Sequence, residues 1–270
     1  KQYVRQKEKP KLFSLFHNPF SKKPVVYDTL QAQLSCRDLL TAMQNQGFLH
    51  AGVTLQTEIH GQEKTDGVEK TDSIAEKSRK KAPKVDVTYL LHPGEPFHIG
   101  KVEYDIEDKN IEQILQLDNP ENQKIKPGMR FTVDALDAER KRIANRLLDD
   151  GYFRFNKDFI QFSADTIAGQ KDIAVTLNLL KYKANSNAPE TDHPRYKIRN
   201  ISYQSNDSDR IHLRHRVLLN ATALEEGKPY STSALQRTYN NFARLQAVKY
   251  TNIRFSEVAG NEIDLSLIHI

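Results

Sequence analysis

The amino-acid sequence predicts an α+β protein of three tandem β-α-α-β-β units, each a three-stranded mixed sheet covered by two helices. Pairs of segments in which apolar and polar residues alternate recur along the chain and indicate strands. Between these pairs lie stretches with one apolar stripe at helical spacing, each preceded by a residue suited to cap a helix. The length of 270 residues suits three units of about 90 residues each.

A repeat appears when the sequence is compared with itself. A shift of 99 residues brings Gly128 onto Gly227, and a shift of 104 residues brings Gly151 onto Gly47. Self-similarity of this kind indicates one structural unit that occurs several times. The predicted units are residues 1–93, 94–183 and 194–270.

Each unit is expected to open with a strand. The alternating segments "PFHIGKVEYDI" (96–106) and "PRYKIRNISYQ" (194–204) provide it in the middle and last units, and "KLFSLFHNPF" (11–20) in the first. Short helices are predicted to follow at "NIEQILQL" (110–117) and "RIHLRHRVLL" (210–219).

A second helix follows in every unit. Asp28, Thr132 and Ser231 can each accept a hydrogen bond from a free amide at a helix start, and we predict them as N-caps. Gly47 and Gly151 stand where two of these helices would end in a left-handed residue. The last unit has no such glycine, so its helix should end differently. The apolar stripes are Cys36, Leu39, Leu40 and Met43; Leu136, Ile143 and Leu147; and Leu235, Tyr239, Phe242 and Leu245.

Two strands close each unit. The predicted pairs are "VTLQTEI" and "KVDVTYLL", "KDFIQFSAD" and "DIAVTLNLL", and "YTNIRFSEV" and "EIDLSLIHI". The second member of each pair alternates with period two, which predicts one buried face. Three strands cannot close a sheet, so one face and at least one edge should stay accessible.

Two charged segments interrupt or precede the first unit. The insertion between its closing strands repeats "EKTD", has almost no large apolar residues and predicts a flexible loop over residues 60–84, with partner docking as the alternative. Residues 1–24 carry most of the excess positive charge. That arm suits either a first strand with a solvated lysine fringe or contact with anionic lipid through Leu12, Phe13, Leu15 and Phe16.

The composition points away from several classes of protein. The net charge is only +5, and the chain carries no nucleic-acid-binding motif, so we expect no nucleic-acid partner. No apolar run approaches the roughly 20 residues of a membrane helix. The first residue is Lys1, which suggests a piece of a longer protein.

Few side chains suggest chemistry. His212 and His215 could share a helix face, but no further metal ligands stand near them in the sequence. Cys36 falls on an apolar stripe and should pack as a small hydrophobic residue. Asp149 and Asp150 are predicted to form a solvated turn. We therefore predict no catalytic, cofactor-binding or metal-ligating residue, and no enzyme.

The repeated unit resembles the POTRA (polypeptide-transport-associated) domains of BamA- and TamA-type outer-membrane assembly proteins. The resemblance rests on the unit order and on "PGMRFT", "EEGKPYS", "DDGYF" and "VTYLLHPGEPFHIGKV". It implies a periplasmic arm attached to the outer membrane through a C-terminal β-barrel beyond Ile270. The partners that it implies are unfolded outer-membrane protein clients, that barrel, and accessory assembly subunits or periplasmic chaperones.

The resemblance also implies a way of binding. An extended client segment can add itself to a sheet edge, and in POTRA domains the strand after the helices offers that edge. The expected client contacts are Val53, Leu55, Phe159, Gln161, Ile253 and Phe255. Two other functions remain open: the arm of a dedicated two-partner secretion transporter, and a structural scaffold that bridges to inner-membrane or division proteins.

Overall fold

The computed structural model describes residues 3–4, 26–60, 84–166, 171–205 and 213–269. The chain divides into two compact units, Lys1–Phe97 and His98–Ile270. The described residues form three sheets of three strands each, one in the first compact unit and two in the second. The fold is α+β, as predicted. Each sheet falls within one of the three predicted ranges, and the boundaries of those ranges remain a prediction.

The first compact unit contains one described helix and the first sheet. Its elements are β1 (Tyr3–Val4), α1 (Thr29–Asn45), β2 (Gly52–His60) and β3 (Lys84–His92). Strand β3 is central, with β1 parallel on one side and β2 antiparallel on the other. The side chain of Asp28 accepts the amide of Leu30 at 2.9 Å, which confirms the predicted cap. Gly47 follows α1 with a φ of 89°, the left-handed conformation expected there.

The second compact unit contains the middle sheet and the last sheet. Its helices and strands are β4 (His98–Asp105), α2 (Lys109–Gln116), α3 (Val133–Asp149), β5 (Ile160–Thr166), β6 (Asp172–Leu179), β7 (Lys197–Ser205), α4 (His215–Ala221), α5 (Thr232–Ala243), β8 (Thr251–Val258) and β9 (Glu262–His269). The orders are β4-β6-β5 and β7-β9-β8. In both sheets the first strand runs parallel to the central strand and the third runs antiparallel, so the sheets are mixed.

The helix caps and the buried faces follow the sequence prediction. The hydroxyls of Thr132 and Ser231 accept the amides of Ala135 and Ala234, at 3.2 and 3.1 Å. Alternate residues of two central strands are buried, in agreement with their period-two pattern: Ile173, Val175 and Leu177 in β6, and Ile263, Leu265 and Leu267 in β9. In the central strand β3, Val85 is buried, whereas Val87 and Tyr89 are half-buried. Helix α5 ends at Ala243 without a left-handed residue.

Two cores result from this packing. The core of the middle sheet is built from Ile111, Ile143, Ala144, Leu147, Tyr152, Phe155, Ile160 and Leu177. The core of the last sheet is built from Tyr196, Ile198, Leu218, Ala221, Leu224, Tyr230, Ala234, Phe242, Ile253, Ile263, Leu265 and Leu267. The stripes predicted for the middle and last units each supply members of these cores.

One buried polar contact recurs in the middle unit and the last unit, made by a carboxylate in the first case and by a hydroxyl in the second. The fully buried Glu139 of α3 accepts the amide of Lys124 at 2.6 Å. In the last repeat, 99 residues further on, the buried hydroxyl of Thr238 accepts the amide of Ala223 at 2.9 Å. Each side chain therefore fastens the loop that precedes its helix to the helix itself. A carboxylate and a hydroxyl do not align as similar residues, so the repeat in the sequence did not predict this shared role.

The first unit departs from its prediction at the opening strand. The described strand parallel to β3 is Tyr3–Val4, upstream of the predicted segment 11–20, which lies outside the described residues together with most of the basic arm. The loop predicted over 60–84 begins and ends in strand residues, because His60 pairs with Lys84. Its remaining residues, 61–83, lie outside the described part of the chain, as does His212.

Candidate protein-binding edges

Strands β2, β5 and β8 each lie at an edge of their sheet, where one side of the backbone has no neighbouring strand in the part of the chain that the structure describes. In β2, Val53 and Leu55 are half-buried and lie opposite Leu91 and Tyr89 of β3. The structure therefore places both residues in an edge strand, as the sequence analysis expected. Their role in client contact stays a prediction.

The two client contacts predicted for the middle sheet lie in different elements. Gln161 is exposed in β5 and lies opposite Asn178 of β6. Phe159, by contrast, lies in the 3₁₀ turn Lys157–Phe159 before β5, so its placement in the strand was wrong. The centroid of the Phe159 ring lies 4.7 Å from the centroid of the His193 ring. The cause is local: the side chain of Asn156 accepts the amide of Asp158 and starts the turn.

The residues predicted for the last sheet turn inward. Ile253 of β8 is 7% exposed and belongs to the core, while Phe255 is half-buried with its ring 5.8 Å from that of Tyr230. Their side chains are thus engaged within the protein. Arg254 and Ser256, which alternate with them along the strand, are exposed.

A joint connects the middle sheet to the last sheet, and the segment "DDGYF" forms much of it. The ring of Phe153 contacts the rings of Tyr196, Tyr230 and Phe255, with centroids 5.7, 5.0 and 5.3 Å away. Next to it, Arg154 forms an ion pair with Glu257 of β8 at 2.5 Å. The segment "DDGYF", by which the chain leaves the end of α3 and which we call the exit segment, therefore packs against the following sheet.

Asp149 belongs to the same joint, which corrects its prediction as part of a solvated turn. Its carboxylate accepts the hydroxyl of Ser231 at 3.0 Å and the amide of Ser233 at 2.7 Å, both at the start of α5. A negative charge at a helix N-terminus is favourable, because free amides point at it and the helix dipole is positive there. Asp149 at the end of α3 thus helps to cap α5.

Gly151 is required at this joint for two reasons. Its φ of 102° is rarely adopted by other residues, and an added Cβ would lie 3.0 Å from Arg195 and 3.1 Å from Pro229. Its carbonyl accepts the amide of Tyr196 at 2.7 Å. The glycine therefore ends α3 and brings the chain against the start of the last repeat.

A cavity of about 930 Å³ lies beside the joint. Aromatic and charged side chains line it, among them Tyr152, Tyr182, Arg195 and Glu257. His193 lies in its wall, 7% exposed, with its Nε2 2.9 Å from the carbonyl oxygen of Leu180. Burial lowers the pKa of this imidazole below its usual value, since removal from water disfavours the charged form.

The described residues contain no cluster of three or more histidine, cysteine or acidic side chains that could hold a metal ion. Cys36 is half-buried on α1, in the stripe where it was predicted. Within the described part of the chain, none of the helices combines the length and the hydropathy needed to cross a membrane.

Comparison with known proteins gives structural likenesses only. No family model matches the chain, and no curated protein matches it. BamA POTRA3–5 from Haemophilus influenzae is 13% identical with a TM-score of 0.44, over 91% of this chain and 84% of that one. BamA from Haemophilus ducreyi lacking POTRA domains 1–3 is 17% identical with a TM-score of 0.44, over 64% and 29%.

A third likeness is to POTRA1–2 of the periplasmic domain of Omp85 from Anabaena, which is 14% identical with a TM-score of 0.38, over 66% of this chain and 98% of that one. Because the TM-scores lie below 0.5, these likenesses carry no argument for a function. The argument for a function rests on the repeated unit and its open edges. Solved structures to which the chain is similar include POTRA domains from BamA and Omp85 proteins.

Proposed function

We propose that this chain is a protein-binding arm that receives unfolded client proteins and guides them to an outer-membrane β-barrel. In this proposal the arm lies in the periplasm, the barrel belongs to the same protein, and accessory subunits or chaperones bind along it. It performs no catalysis. The placement and the partners come from the resemblance of the repeated unit to POTRA domains.

The observation that carries the proposal is the position of β2, β5 and β8. Each is an outer strand of a three-stranded mixed sheet, and among the described residues each has a neighbouring strand on one side only. Unpaired amides and carbonyls on such an edge can form a ladder with an added strand. Main-chain hydrogen bonds depend little on side-chain identity, so one edge can receive many sequences.

Tandem edges suit a weak but general receptor. A single added strand gains a modest net free energy, because each main-chain hydrogen bond replaces hydrogen bonds to water and contributes about 0.5–1.5 kcal/mol. Several edges on one chain raise the effective concentration of the second contact once the first has formed. A client could thus be held by the arm and still leave each edge quickly.

Site-specific photo-crosslinking tests the proposal. A benzophenone amino acid would replace Gln56 in β2, Gln161 in β5 or Arg254 in β8, since all three side chains are exposed at the edges. Urea-unfolded outer-membrane barrel protein is then diluted into each variant. The same probe at Asn145, exposed on α3, is the matched control.

Crosslinks from the edges that exceed those from Asn145 support the proposal. Equal labelling from the edges and the helix would refute it, because a client bound without strand addition has no reason to prefer the edges. The breadth of clients separates a general arm from a dedicated one: a secretion arm would label a single partner and leave unrelated barrel proteins unlabelled.

A further inference from the structure

The other edge of the middle and last sheets is formed by β4 and β7, and both strands begin in the same way. The amide of Ile99 donates to Met129 O at 2.8 Å, and the amide of Ile198 donates to Lys228 O at 2.9 Å. The carbonyl of each isoleucine also accepts the amide of a glycine 29 residues further on, at 2.7 Å in both cases. The first outward-facing residue of each edge is therefore already paired.

The two edges differ just beyond this point. Both strands have a bulge after the isoleucine, between Ile99 and Lys101 in β4 and between Ile198 and Asn200 in β7. In β7 the amide of Ile201 then donates to the Oε1 atom of Glu226 at 2.8 Å. A side chain thus occupies the second outward position of the β7 edge.

The corresponding position of β4 has no such side chain. Ile201 corresponds to Val102 under the 99-residue shift, and Glu226 corresponds to Pro127, which carries no acceptor on its side chain. Among the described residues, no side chain accepts a hydrogen bond from the amide of Val102. Within the described part of the chain, the amide of Val102 thus remains available to pair with an added strand.

We propose that Glu226 closes β7 to strand addition, while β4 is a second receiving edge of the middle sheet. This inference rests on the proposed function, and it specifies which edges serve it. The occupant of β4 is an extended polypeptide segment in which polar and apolar residues alternate.

The side chains of β4 fit such a segment. Val102 and Tyr104 project on one face of the strand, and Tyr104 is 38% exposed. Lys101 and Glu103 project on the other face, where they form an ion pair. An added strand of alternating character can place its apolar residues beside the first pair and its polar residues beside the second.

Glu226 opposes an added strand at β7 in two ways. An incoming carbonyl would compete with a carboxylate for the amide of Ile201, and hydrogen bonds to charged groups are the stronger ones. The same carboxylate would also lie beside the negative end of the incoming carbonyl dipole. Because the contact is exposed to solvent, we expect its removal to raise binding at β7 between about twofold and tenfold, the range of one net hydrogen bond.

The test measures which edge captures a defined peptide. A ten-residue peptide of alternating valine and threonine, with lysines at both ends, is mixed with full-length chains that carry a benzophenone amino acid at Glu103 in β4, Gln204 in β7 or Arg254 in β8. All three side chains are exposed. We expect crosslinks from Glu103 and Arg254 and few from Gln204.

Substitutions of Glu226 and Pro127, which correspond under the 99-residue shift, should then change peptide capture at β7 and β4 in opposite directions. Glu226→Ala should raise capture at Gln204 between about twofold and tenfold and leave Arg254 unchanged. Glu226→Gln keeps an acceptor oxygen and should keep most of the closure. Pro127→Glu supplies a carboxylate beside β4 and should lower capture at Glu103.

Amide hydrogen exchange of the same variants checks the contact without any peptide. In the unsubstituted chain the Ile201 amide should exchange more slowly than the Val102 amide, and Glu226→Ala should remove that difference. If Glu226→Ala changes neither the exchange of Ile201 nor the capture at Gln204, the inference is overturned while capture at Arg254 still supports the proposed function. Loss of capture at every edge in every variant would refute both.

Discussion

Replacement of Phe153 by alanine should loosen the joint between the middle sheet and the last sheet. The Phe153 ring is half-buried and contacts three other rings across the joint, those of Tyr196, Tyr230 and Phe255. Truncation of a fully buried phenylalanine costs about 3–5 kcal/mol, and an aromatic pair contributes about 0.5–1.5 kcal/mol beyond its buried area. For a half-buried ring we expect a loss of about 2–3 kcal/mol in the free energy of unfolding.

The assay must separate loosening of the joint from general destabilisation. Spin labels at Asp165→Cys in β5 and Arg237→Cys in α5, both exposed positions, would report the distance between the two sheets in a Cys36→Ser background. Phe153→Ala should broaden that distance distribution. Phe162→Ala is the matched control, because Phe162 packs against the middle core and makes no ring contact with the last sheet among the described residues.

Distance distributions of equal width for Phe153→Ala and Phe162→Ala would refute this prediction. In that case the three ring contacts would not be what fixes the position of the last sheet relative to the middle sheet. Phe153→Leu provides a graded comparison, since leucine keeps much of the apolar area and loses the ring geometry. We expect its distribution to lie between those of the unsubstituted chain and Phe153→Ala.

Three further predictions concern buried polar groups. Glu139→Ala should lower the free energy of unfolding by about 1–3 kcal/mol, because the amide of Lys124 loses its acceptor and the half-buried Arg142 keeps Asp118 but loses the carboxylate of Glu139; a urea titration that shows less than about 0.5 kcal/mol would contradict it. Thr238→Val should cost about 1–3 kcal/mol in the same titration, since the amide of Ala223 loses its acceptor, whereas Thr238→Ser should cost about 1 kcal/mol or less. His193→Gln should make the free energy of unfolding less dependent on pH below 6.5. The folded-state pKa of His193 is lowered, so the unfolded chain takes up the proton first and the stability of the unsubstituted chain falls as the pH falls. One group contributes at most 1.36 kcal/mol per pH unit, and an unchanged slope of the free energy of unfolding against pH would contradict the prediction.

The helices and strands could be predicted because their signals are local. A cap such as Thr132 contacts an amide three residues away, and the alternation along β6 is visible within eight residues. The 3₁₀ turn before β5 also had a local signal, the asparagine–lysine–aspartate segment at 156–158, which the strand pattern around it obscured. Such errors can be corrected from the sequence itself.

The joint could not be predicted in this way, because its contacts connect distant segments. Asp149 and Ser231 lie 82 residues apart, and neither residue type indicates that it will meet the other. An aspartate after a helix is normally solvated, and only the placement of the next sheet brings it to a helix N-terminus. The same holds for Glu226, whose significance depends on the outward direction of one strand amide.

The exit segment therefore explains why the glycine and the aromatic residues recur together. Gly151 O accepts the amide of Tyr196, and within the first compact unit Gly47 O accepts the amide of Phe97 at 2.9 Å. Tyr196 and Phe97 are related by the 99-residue shift, so the same main-chain bond follows a left-handed glycine in two repeats. A residue with a Cβ would strain the turn that directs this carbonyl, and the link to the next opening strand would weaken with it. A receptor that works through several weak edges needs those edges at fixed separations, because the effective concentration of a second contact falls when the connection between the sites becomes loose.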